Sequence, residues 1–141
     1  MSRCLTSSDF EADREEATLT YLGRYFDNAQ VGMDAEKYLT MCATFGDTPD
    51  PEKMPPEYSS FPSYVHVAME IFNALPDLFS GGMSPIYTGK AISSLPVLYD
   101  LYMVDNHMKM KTFNVIRFLD SRARKQAVKE AEKANKKASR K

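Results

Sequence analysis

The chain has 141 residues, 43% of them hydrophobic, with 18 Lys and Arg against 19 Asp and Glu. That size points to a single domain with a modest core. The absence of any 18-residue apolar run excludes a membrane-spanning helix, and two cysteines, Cys4 and Cys42, are too few for a disulfide scaffold. In a reducing cytosol both read as free thiols.

The net charge of −1 conceals an asymmetry. From Arg122 onward, nine Lys or Arg face only Glu130 and Glu132, a local charge of +7; residues 1–121 carry −8. The sequence therefore divides into an acidic helical domain over 1–121 and a basic tail over 122–141. The opening segment, Met-Ser-Arg-Cys-Leu-Thr-Ser-Ser-Asp, has no apolar stretch of the signal-peptide kind, so the expected location is the cytoplasm.

In chain order, Ser7 or Ser8 is placed to cap a first helix over about Asp9 to Phe26, where Phe10, Ala17, Tyr21 and Tyr25 recur at helical spacing and the early acids suit the positive end of the dipole. Asp34 caps a short second helix that Gly46 ends as a left-handed residue. Pro49, Pro51, Pro55 and Pro56 then forbid helix or central strand, leaving a wrapping linker. Pro62 opens a third helix to about Leu75, with Tyr64, Val65, Ala68 and Phe72 on its apolar face. Ser93 or Ser94 with Pro96 opens a fourth helix, bearing two apolar stripes. Asp105 or Asn106 starts the last, whose apolar face runs through Met108, Thr112, Val115, Ile116 and Leu119. Beyond Ala123 the composition turns to Ala, Lys, Glu and Arg, which favours helix but buries little. The expected fold is all-α: a compact bundle of about five helices, a long Pro/Gly-rich loop and a protruding basic C-terminal helix. Its core centres on Phe72, Leu75, Leu98, Leu101 and Ile116. No stretch alternates at period two for long enough to argue for a sheet.

The loop from Pro76 to Lys90 separates the two helical halves. Pro76 removes a backbone donor, Gly81 and Gly82 permit positive φ, and Pro85 holds Ser84 extended. Yet it carries Leu78, Phe79, Met83, Ile86 and Tyr87, more large apolar side chains than a solvated connector needs. Either the loop packs back on the helices or it offers itself to a partner. The candidate protein-binding residues are Phe79, Met83, Ile86 and Tyr87, with Lys90 at their edge.

No catalytic constellation is found. Gly89-Lys90 invites a phosphate-loop reading, but Ser84 stands where that motif needs glycine and Ala91 where it needs a hydroxyl. Lys90 better suits a loop carboxylate or carbonyl, or a partner. His66 and His107 lie at metal-ligand spacing neither from each other nor from the cysteines. Asp100, Asp105 and Asp120 lie singly on helices and read as solvated faces or caps. The expectation is a non-enzyme without cofactor or metal. The basic string Arg122, Arg124, Lys125, Lys129, Lys133, Lys136 and Lys137 could contact a polyanion, although no aromatic residue beyond Phe118 is available to stack a base. A solvated tail or a protein contact is the preferred reading over nucleic acid, because a basic run alone reports only electrostatics.

With Phe72-Asn73-Ala74-Leu75-Pro76-Asp77, Gly82-Met83-Ser84, Tyr87-Thr88-Gly89-Lys90 and Leu95, the chain resembles small tail assembly proteins of tailed bacteriophages, encoded near the tape measure gene. The resemblance covers about Met33 to Leu119; the Ser-Pro-Ile segment and the basic tail fall outside it. It implies an assembly chaperone in the infected host's cytoplasm that keeps the long, apolar, helical tape measure protein soluble until tube subunits polymerise around it. The alternative is a small nucleic-acid-associated or regulatory phage protein acting through the tail.

Overall fold

The structure, a computed structural model, describes residues 7–139, without the side chains of residues 7–9. Cys4, the capping side chains proposed at Ser7 and Ser8, and Arg140 and Lys141 of the basic tail lie outside what is described. Among the described residues there are, besides three single 3-10 turns, five α-helices and one two-stranded sheet: α1 (Ser7–Gln30), α2 (Ala35–Phe45), α3 (Ser63–Ala74), β1 (Asp77–Phe79), β2 (Tyr87–Lys90), α4 (Leu95–Leu101) and α5 (Lys109–Ser139). The chain is mostly helical but not purely all-α, because the central loop forms a hairpin. It divides into two compact units, the chain passing from the first to the second between Phe61 and Pro62.

The first unit holds α1, α2 and the proline-rich linker. Asp34 caps α2 by accepting the Lys37 N–H at 2.8 Å, and Gly46 ends it at φ 72°. A residue with a Cβ is strained at that φ, which is why the helix stops on glycine. The linker is held by α1: the Arg24 guanidinium donates to the carbonyls of Glu52 and Met54. Phe61 meets Tyr21 and Tyr25 at centroid distances of 5.4 and 5.7 Å, within the range where tilted and edge-on rings attract. Leu22, Cys42 and Phe61 are buried, and Cys42 is a free thiol.

The second unit is built on α3 packed against α5, with α4 against α3 and β2 against α5. Val65, Ala68 and Ile71 of α3, Leu75 at its end, Leu95 and Tyr99 of α4, and Thr112, Val115, Ile116 and Leu119 of α5 form its core. Leu75 and Ile116 are buried as expected, whereas Phe72 and Leu98 are only half-buried and Leu101 is 72% exposed. The reason is geometric. With only seven residues, α4 buries the line of Leu95 and Tyr99 and leaves Val97 and Leu101 in solvent. The change of charge at Arg122 is not a change of structure, since α5 runs through it to Ser139.

Candidate protein-binding hairpin

Strands β1 and β2 pair antiparallel, Asp77 with Lys90, Leu78 with Gly89 and Phe79 with Tyr87, so Thr88 is the extra residue of a β-bulge. Hydrogen bonds from Ala91 N–H to Pro76 O and from Ser80 N–H to Ile86 O, both 2.9 Å, close the ladder at its two ends. The serine hydroxyl of Ser80 also accepts the Ile86 N–H at 3.1 Å.

One carboxylate docks this hairpin on α5. Asp120 Oδ1 accepts the Tyr87 hydroxyl and the Lys90 N–H, both at 3.0 Å, while Oδ2 lies 3.3 Å from Arg124 Nε one helical turn away. Asp120 is therefore not the solvated helix residue its isolated position suggested; it is 8% exposed because the sheet covers it. A buried carboxylate is tolerated here because three donors satisfy it. Gly89 makes the approach possible. Its φ is 132°, and a Cβ there would sit 3.3 Å from Asp120 Oδ2. Burial, then the hydrogen bond and charge of Asp120, push the Tyr87 phenol well above its ordinary pKa.

Lys90 fastens the base of the hairpin from inside. Its ammonium pairs with the Asp77 carboxylate, donates to Leu75 O at 3.2 Å and lies 4.7 Å from the centre of the Phe72 ring. The side chain is only 9% exposed. Of the two roles proposed for it, holding a loop carboxylate and carbonyl is the one its position fulfils.

The structure thus splits the five candidate binding residues. Phe79, Met83 and Ile86 are exposed, Met83 completely, together with Leu78, which was not among the candidates. Tyr87 is half-buried, its ring edge-on to Phe79 at 6.1 Å and its hydroxyl committed to Asp120. The hairpin consequently commits Tyr87 and Lys90 to the rest of the unit and leaves Leu78, Phe79, Met83 and Ile86 exposed. Asp120, the anchor, was missed as well. Its signal is its place at four-residue spacing after Thr112 and Ile116, on the buried face of α5.

The basic residues separate in the same way. Arg122 is half-buried with its guanidinium 5.9 Å from the Phe118 ring centre, and Arg124 is engaged by Asp120. Lys125, Lys129, Lys133, Lys136 and Lys137 are exposed along the outer half of α5. Among the described residues, no three of His, Cys, Asp and Glu come together as a metal site would require, and no helix is long and apolar enough to cross a membrane. No family model, curated protein or solved structure matches the chain.

Proposed function

We propose that the chain is a phage tail assembly chaperone or assembly factor that uses its hairpin to hold an apolar helical client, such as the tape measure protein. The observation that carries this reading is the exposure of Leu78, Phe79, Met83 and Ile86 on a hairpin whose base is fixed by Asp120 and Lys90. Apolar side chains on a pre-ordered scaffold bind without first giving up backbone freedom, which is how few residues carry much of an interface energy. Methionine and aromatic anchors also adapt to a client that presents several similar apolar stripes. The client and the host cytoplasm as the place of action come from the resemblance of the Phe72–Lys90 pattern.

Co-expression with a tape measure protein and affinity capture tests the reading. Wild-type chain should retain the client and keep it soluble. Phe79→Ala and Met83→Ala should lose capture while melting normally. Retention of the client by both variants would overturn it.

A second reading rests on the exposed lysines of α5, whose positive charge would favour a nucleic-acid backbone. Under it, removal of residues 125–141 abolishes retention on a polyanion column and leaves client capture intact.

A further inference from the structure

The two edges of the hairpin sheet are not equivalent. Hydrogen bonds to Pro76 O and from Ser80 N–H turn those residues, and Leu78 between them, toward β2. The intervening Asp77 and Phe79 therefore direct their N–H and C=O groups to the opposite, outer edge of β1. On β2 the corresponding outward N–H, that of Lys90, is taken by Asp120. All three residues of β1 are exposed. The edge is short and carries Asp77, but it has no lysine, no interior proline and no bulge of its own, and among the described residues no third strand pairs with it.

We infer that the β1 edge is a self-association surface, where a second copy of this chain adds its own β1 in antiparallel register to make a four-stranded sheet. The outward groups are arranged symmetrically about Leu78, so a two-fold axis through that residue pairs Asp77 with Phe79 of the second copy, and Phe79 with Asp77 of the second copy. Four main-chain hydrogen bonds form. Asp77 and Phe79 share a face with Lys90 and Tyr87, as the Asp77–Lys90 ion pair and the Phe79–Tyr87 ring contact require. In this register each carboxylate meets a phenylalanine, not its like charge, and stays beside its own Lys90. The exposed Leu78 side chains meet each other on the opposite face. Three residues a side is a short ladder, so the dimer is weak and depends on concentration. The inference does not rest on the client reading, although Leu78 and Phe79 belong to both surfaces.

Hydrogen exchange of the full wild-type chain, followed residue by residue by NMR from about 5 µM to about 500 µM, gives the first test. The amides of Asp77 and Phe79 should become protected as concentration rises, in step with dimer observed by sedimentation. The Lys90 amide should be protected throughout. Phe79→Pro and Phe79→Ala give the second test, because both remove the ring and only proline removes the outward N–H, which the hairpin itself does not use. Losing one hydrogen bond per chain, twice in the dimer, should weaken association of the proline variant roughly thirtyfold relative to alanine. A chain that sediments as a monomer throughout, or a dimer whose Asp77 and Phe79 amides stay unprotected, overturns the inference. So does equal dimerisation of the two variants.

Discussion

The Tyr87 hydroxyl donates to Asp120 Oδ1 at 3.0 Å across 33 positions of sequence, and this bond joins the hairpin to the helix that supplies Thr112, Val115, Ile116 and Leu119 to the second unit's core. The same oxygen accepts the Lys90 N–H, so deleting the carboxylate strands two donors at once. Asp120→Ala should cost about 1 to 3 kcal/mol, since leaving buried partners unpaired costs more than the bonds contributed. Tyr87→Phe removes one donor and leaves the acceptor two others, so it should cost about 1 kcal/mol. Urea unfolding of the three chains checks the order. An Asp120→Ala chain as stable as wild type would show that the hairpin does not depend on this anchor.

The same bond predicts behaviour in alkali. The folded chain holds the Tyr87 phenol neutral above its ordinary pKa of 10.0, first by burial and then through Asp120. A raised folded pKa means that stability is fully present below pH 10 and falls as pH rises through the folded value. Burial raises Tyr99 in the same direction. Tyr87→Phe and Tyr99→Phe should therefore each remove amplitude from the phenolate absorbance that develops above pH 10. Tyr87→Phe should flatten part of the loss of stability above pH 10.

The helices were legible in the sequence because their apolar residues repeat at helical period and their ends carry their own chemistry, as Asp34 and Gly46 do. The hairpin was not. Strands of three and four residues are too short for a period of two to register, and Gly89 inside β2 reads as a breaker until the Asp120 carboxylate is seen beside it. The spacing of Asp120 after Thr112 and Ile116 marks it as a residue of the buried face, but nothing local names its partners, which lie on β2 30 and 33 residues earlier. Leu101 was misplaced for a related reason: α4 carries two apolar stripes, and only the position of α3 decides which is covered.

Lys90 was read from sequence as an edge residue of the binding surface, and its position implies a measurable distinction. Its ammonium pairs with Asp77, whose carboxylate is 48% exposed, so the ion pair itself is screened. The bond to Leu75 O and the contact with the Phe72 ring are sheltered and carry most of the effect. Lys90→Met, which keeps the stem and removes the charge, should lower stability by about 1 to 2 kcal/mol. Client capture by the folded fraction should be unchanged. Loss of capture at full stability would put Lys90 back on the binding surface.

The outer half of α5 should contribute little to the fold. From Lys125 to Ser139 only Ala127 and Ala131 are half-buried and every other residue is exposed, so the apolar area withdrawn from water is small. Fixing each backbone residue costs on the order of 1 to 2 kcal/mol before any such gain. Deleting residues 125–141 should therefore leave the melting temperature within about 2 °C of the full chain while removing helical circular dichroism signal. The deletion spares Arg124, which keeps the Asp120 contact intact. A fall of many degrees at low salt, diminishing as salt is added, would instead mean that the lysines are held by acidic residues of the body. A fall insensitive to salt would place the alanines, not the lysines, in a packed contact.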